Sequence, residues 1–246
     1  EETIAANTMG SVIHDVVEQL FKPFVGVFLS KENIGQMQQK TPELLIKFFE
    51  KHYKKGNIET GKNKLIFEVC KNHINRFLKQ ELQSINKGNR LKIIALEAEL
   101  SSKITIEGIG FPINLRGIVD RIDELNGITR IIDYKTGKVE AKQLKMEDFS
   151  VISEDYKYTK AMQVMLYSFM YTANIQSKLG ELESGIISFK NLNAGFLKMN
   201  FSEKPRGIDS HVSEERINDF MNEIKTIIKE ILNPDIPFIQ KEDLPF

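Results

Sequence analysis

In the segment Arg130-Ile131-Ile132-Asp133-Tyr134-Lys135 an acid and an amine stand two residues apart within an apolar, β-branched run. Side chains alternate along a strand, so Asp133 and Lys135 leave the same face as neighbours. A second acid, Asp120, lies in the preceding apolar stretch. Between them Asn126-Gly127 is a strong hairpin signal, because both turn positions need positive φ. Folding back at that turn returns Asp120 to the side of Asp133, within a residue or two of register. Two carboxylates and a lysine gathered this way suit phosphodiester hydrolysis. That reaction needs a hard, oxygen-liganded cation to bind the phosphate and acidify a water, and a positive group beside the developing charge. Without a cation, close carboxylates repel and the pKa of one rises, so such a pair is unfavourable unless function requires it. On spacing alone, Asp123, Asp133 and Lys135 also fit exposed hairpin charges forming a weak surface pair.

The elements that must position these groups follow from periodicity. Val12, Ile13, Val16, Val17, Leu20 and Phe21 recur at helical spacing and predict a helix from Thr8 to about Phe21, closed by Pro23. A second helix is expected from Thr41 with Pro42 in its first turn, and a third through Ile66, Val69, Cys70, Ile74, Phe77 and Leu78. After Gly88 the texture turns β-branched and alternating. Ile93 to Leu100, Lys103 to Glu107, Ile113 to Glu124 and Ile128 to Lys135 read as a run of antiparallel strands. A polar loop from Thr136 to Tyr158 leads to a helix from about Thr159 to Lys178. Strands follow from about Leu182 to Lys190 and from Phe196 to Phe201, and a last helix runs from Ser213 to Leu232. The expectation is an α/β (α+β) fold, one domain over residues 1–246 with a helical subregion at about 36–88.

Composition bounds the rest. Of 246 residues, 41% are hydrophobic, enough for a core. No apolar run approaches the roughly 18 to 20 residues a membrane helix needs, and no signal peptide opens the chain, which places it in the cytoplasm. Lys+Arg and Asp+Glu both number 34, so net charge makes no case for nucleic acid and any such contact must be local. The densest basic run, Lys47, Lys51, Lys54, Lys55, Lys62 and Lys64, fits a solvated face or a phosphate track. The single cysteine, Cys70, falls in an apolar helical stripe and reads as core. Alone it holds neither a disulfide nor an iron–sulfur cluster. Because the chain opens at Glu1 without a methionine, it reads as a piece of a longer protein.

The stretch Gly117-Ile118-Val119-Asp120-Arg121-Ile122-Asp123, followed by Asp133-Tyr134-Lys135-Thr136-Gly137, resembles the RecB/AddB-like exonuclease branch of the PD-(D/E)XK nuclease superfamily. Members of that branch show G-x-x-D-R-x-D and then D-Y-K-T-G. They also carry G-x-x-x-H on an early helix and Q-x-x-x-Y on the helix after the active-site strands. Gly10 to His14 and Gln163 to Tyr167 stand in those places. Taken alone, His14 is an ordinary helix residue and Gln163 with Tyr167 a routine i,i+4 pair. The proline of the superfamily's name is replaced by Val119.

The resemblance implies a restriction-endonuclease-like core, a mixed central sheet flanked by helices. It further implies a Mg²⁺- or Mn²⁺-dependent deoxyribonuclease, an exonuclease of repair or recombination, with DNA as partner and a helicase domain or subunit in the full-length protein. By resemblance His14, Asp120, Asp133 and the Tyr134 carbonyl are the metal ligands, Lys135 is catalytic, and Gln163 and Tyr167 line the site and orient Lys135 or the DNA. Glu97, in Ala95-Leu96-Glu97-Ala98-Glu99, resembles an acidic residue of the first core strand, with Glu99 the alternative. Some relatives add a four-cysteine iron–sulfur staple, which this sequence does not contain. The alternative reading is a catalytically silent DNA- or partner-binding module of a repair complex.

Overall fold

The computed structural model describes residues 6–53, 58, 60–175, 180–204 and 207–239. The first element among the described residues is α1 (Ala6–Phe21), whose apolar stripe of Val12, Ile13, Val16, Val17, Leu20 and Phe21 is buried as its spacing predicts. Helix α2 (Lys31–His52) begins ten residues before the expected start at Thr41. A capping box between Ser30 and Asn33 starts it, Ile34 and Met37 add buried turns, and Pro42 lies inside the helix. The proline was misleading because it removes only one donor, and Thr41 Oγ1 donates to the Met37 carbonyl at 2.9 Å beside the break. Helix α3 (Gly61–Asn86) buries Cys70, Ile74, Phe77 and Leu78. Each such large side chain removed from water contributes on the order of 2 kcal/mol.

The sheet comprises β1 (Leu91–Ile104), β2 (Ile113–Leu125), β3 (Ile128–Lys135), β4 (Leu182–Ser188) and β5 (Phe196–Lys198), adjacent in that order. Asn126 and Gly127 take φ of 54° and 89° and turn β2 into β3. Strands β1, β2 and β3 are antiparallel, whereas β4 joins β3 in parallel. The parallel step requires a crossover, which α4 (Thr159–Asn174) supplies. The strand expected at Lys103 to Glu107 is not separate: Lys103 and Ile104 continue β1. Helix α5 (Glu214–Leu232) is the last regular element among the described residues, with Ser213 accepting from the Arg216 amide at its cap. The expected end of the α4 helix at Lys178, and Lys54 and Lys55 of the basic run, lie outside the described residues.

Two apolar layers hold the sheet. Helices α1 to α3 pack on Leu91, Ile93, Ile132 and Tyr134 of one face. Helices α4 and α5 pack on Val119, Ile122, Ile131 and Ile186 of the other. This is a mixed five-stranded sheet flanked by helices, a restriction-endonuclease-like α/β core. No helix among the described residues is long and apolar enough to cross a membrane.

Candidate active site

Strict alternation fails at a bulge between Ile93 and Ala95 on β1 and again farther along, and the second failure builds the site. On β1, Leu96 packs in the α1–α3 layer while Ala98 and Leu100 pack in the α4–α5 layer. On β2, Val119 and Ile122, three residues apart, share the α4–α5 layer. Both strands therefore exchange faces between these residues, at Glu97 and Asp120, which the register sets opposite each other between the pairs Leu96–Arg121 and Ala98–Val119. Glu97 has φ of 43°, a left-handed conformation that a non-glycine residue adopts only when its surroundings enforce it. The β2–β3 ladder also stops here, its last pair being Arg121–Ile132. Beyond it the Tyr134 amide donates to Asp120 Oδ2 at 2.5 Å instead of to a strand carbonyl.

The exchange sets both acids beside α1. His14 Nδ1 lies 3.2 Å from Asp120 Oδ1. His14, Glu97 and Asp120 each offer a ligand atom, all within 4.8 Å of one another. Asp133 is not a member of that triplet. Its carboxylate is drawn towards Lys135, whose Nζ lies 2.9 Å from Asp133 Oδ2. The approach is off the hydrogen-bonding direction, so this buried oxygen lacks a well-aligned partner. The alternative of an exposed hairpin pair fails, since Asp133 is 4% exposed and Asp123 fully buried. Lys135 Nζ donates to Gln163 Oε1 at 2.9 Å, and Gln163 Nε2 donates to the Tyr167 hydroxyl at 2.8 Å. Gly117 makes room for this chain of contacts: a β-carbon there would stand 2.8 Å from Tyr167 Cε1 and 2.9 Å from Met170 Cε.

Negative charge is in surplus. Burial, then the charge of Asp120, pushes the Glu97 carboxyl up to about 7. Burial and Asp120 likewise raise Asp133 to about 6, against the opposing pull of Lys135. Burial disfavours a charged His14, yet its bond to Asp120 and the nearby carboxylates outweigh that and hold its pKa above the ordinary value. An imidazole nitrogen, clustered carboxylates and a buried oxygen without an aligned partner form a donor set that fits a hard divalent cation such as Mg²⁺ or Mn²⁺.

Of the residues named from sequence, His14, Glu97 and Asp120 converge, and Asp133, Lys135, Gln163 and Tyr167 form a connected chain beside them. Tyr134 contributes its amide to Asp120, while its ring stacks edge-on with His14, Phe77 and Phe189. Glu99, the alternative to Glu97, is exposed farther along β1. Sequence reasoning missed the fully buried Arg121, which bonds Asp123 through Nε at 2.6 Å and Glu81 through Nη1 at 3.1 Å. Arg130 binds Asp123 from the next strand at 2.7 and 2.8 Å. The available signal was Glu81 in the apolar stripe of α3, with no partner nearby in sequence.

A profile of the PD-(D/E)XK nuclease superfamily matches residues 1–243. The chain thus belongs to the PD-(D/E)XK nuclease superfamily, which implies metal-dependent nuclease activity on DNA. Comparison with curated proteins gave no match.

Proposed function

We propose that this chain is a Mg²⁺- or Mn²⁺-dependent deoxyribonuclease of the RecB/AddB-like branch, an exonuclease that works beside a helicase domain or subunit in DNA repair or recombination. The observation that carries the catalytic reading is the convergence of His14, Glu97 and Asp120 beside the Asp133–Lys135–Gln163 chain. The branch and the repair setting rest on the motifs G-x-x-D-R-x-D, D-Y-K-T-G, G-x-x-x-H and Q-x-x-x-Y.

In this reading His14, Asp120 and Asp133 hold the cation, with Glu97 as a further carboxylate and the Tyr134 carbonyl as an additional ligand implied by the family resemblance. The cation supplies Lewis acidity toward the phosphate and a lowered pKa for attacking water. Lys135 holds positive charge where the phosphorane gathers negative charge, or orients the attacking water. Gln163 fixes the Lys135 ammonium, and Tyr167 fixes Gln163. The Tyr134 amide holds one Asp120 oxygen, leaving the other toward His14.

The test is cleavage of end-labelled single-stranded DNA, duplex DNA and RNA by purified protein with Mg²⁺ or Mn²⁺ and with EDTA. Mononucleotides or short products released from a DNA end, only with the metal, are expected. Absence of cleavage of every substrate under both metals overturns the reading, and products from internal cuts overturn its exonuclease part.

A further inference from the structure

Beyond the site, β1 and β2 continue as a two-stranded ribbon with different faces. Leu100, Ile104, Leu115 and Val119 turn inward to the α4–α5 layer. Glu99, Ser101 and Lys103 on β1, and Asn114, Arg116 and Ile118 on β2, alternate outward and are exposed. The register pairs Glu99 with Ile118, Ser101 with Arg116 and Lys103 with Asn114, so these six residues form one continuous surface. Its inner end is the Glu97–Asp120 level itself.

Three observations suggest an occupant for this surface. A groove of about 480 Å³ lies over the part of it nearest the site, lined by Glu99, Leu100, Ser101, Arg116, Gly117 and Ile118, with Lys103 and Asn114 beyond its outer end. Among the described residues neither Arg116 nor Lys103 makes an ion pair or a side-chain hydrogen bond, so both cations are available. Ile118 is 51% exposed two residues from Asp120, an apolar side chain set between the acidic cluster and Arg116. The ribbon is also held firmly, because Asn174 Nδ2 donates to the Ser101 carbonyl at 2.8 Å and Tyr167 fills the space above Gly117.

We propose that the outer face of this ribbon is the track of a single DNA strand, with Arg116 and Lys103 on its phosphates and Ile118 against a base. The inference rests on the nuclease reading and adds the direction from which substrate reaches the site. At strand rise Arg116 stands roughly 13 Å from Asp120, too far to touch the scissile phosphate but in place for a phosphate farther along. A base can meet Ile118 only when it is unstacked, which favours a single strand over a duplex. Glu99 is the one acid on the face and weakens the hold on phosphate.

The test measures anisotropy of a fluorescein-labelled oligothymidylate on the Asp133→Asn background, where the strand is to be held without cutting, and KM for cleavage on the parent. Arg116→Ala should weaken binding about tenfold and reduce the slope of log K against log salt by about 0.7, the share of one single-strand phosphate contact. Ile118→Ser should weaken binding about fivefold with the slope kept, as loss of a base contact requires. Glu99→Gln should tighten binding, and Lys229→Ala on α5 should change neither quantity. Unfolding midpoints confirm that the exposed variants are folded.

Arg116→Glu binding within about twofold of its parent, or an unaltered salt slope in Arg116→Ala, overturns the track. If the parent cleaves DNA and the KM of Arg116→Glu is unaltered, the track is wrong and the nuclease reading stands. If the parent cleaves nothing while Arg116 still governs binding, the track stands and the nuclease reading falls.

Discussion

Within four residues of β2 the chain builds two charged clusters of opposite character. Arg121 and Asp123 join Arg130 and Glu81 in a buried network, two cations against two acids. Asp120 joins Glu97 and Asp133, three acids faced by Lys135 and an imidazole. The first set neutralises itself and locks β2 and β3 to α3. The second is left with negative charge in excess, and burial together with that charge raises Glu97 and Asp133 above their ordinary values. Adjacent residues of one motif thus divide the work, and what separates structure from chemistry is charge balance rather than residue type.

The largest expected difference is in activity. Asp120→Ala, Asp133→Ala and Lys135→Ala should each lower kcat/KM by about a thousandfold or more while leaving the circular dichroism spectrum intact, because each removes cation-binding or charge-stabilising capacity in the transition state. Arg121→Met should do the reverse. It strands Asp123 and Glu81 in the interior and should lower unfolding free energy in urea by about 3–5 kcal/mol. If Arg121→Met were as stable as the parent, the division between the two clusters would collapse.

The pH dependence of stability sharpens the contrast. The folded chain raises Glu97 from an ordinary 4.5 to about 7 and Asp133 from 3.8 to about 6. Groups raised in this way bind protons more tightly when folded, so their stabilising contribution is complete below about pH 4 and is lost as pH rises through 6 and 7. Metal-free protein should therefore lose thermal stability between pH 5 and 8. Glu97→Gln should flatten that loss, as should Mn²⁺. Stability that rises over the same range would contradict the surplus of acid. A smaller effect is expected at Gly117→Ala, where the new methyl displaces the Tyr167 ring and, through Gln163, the Lys135 ammonium. A drop in kcat of about tenfold to a hundredfold, with the unfolding midpoint nearly kept, is the expected outcome.

What sequence could disclose followed from locality. Asp120, Asp133 and Lys135 lie in contiguous motifs, and Asn126-Gly127 fixes the hairpin that joins them, since both residues take the positive φ the turn needs. His14 was reached only through the family resemblance, whose G-x-x-x-H element Gly10 to His14 match. Alternation could not choose between Glu97 and Glu99, because Glu97 sits where the strand leaves its regular conformation and exchanges faces. Helix α2 was expected to start at Thr41 because Pro42 suits a first turn, whereas the Ser30–Asn33 capping box that starts it lies with Ser30 twelve residues before that proline. The Arg121 network joins α3 to two strands across 40 residues of chain, a pairing that no local pattern encodes. The role of Gly117 is equally non-local, arising from a tyrosine on α4.

The central claim is that His14, Asp120 and Asp133, with Glu97 beside them, gather a divalent cation. An anomalous difference map from crystals soaked in Mn²⁺ addresses it most directly. The account predicts a peak at coordination distance from His14 Nδ1, Asp120 and Asp133, with the direct His14–Asp120 hydrogen bond opened to admit it. A map in which that hydrogen bond persists and manganese binds elsewhere, or nowhere, would contradict the account.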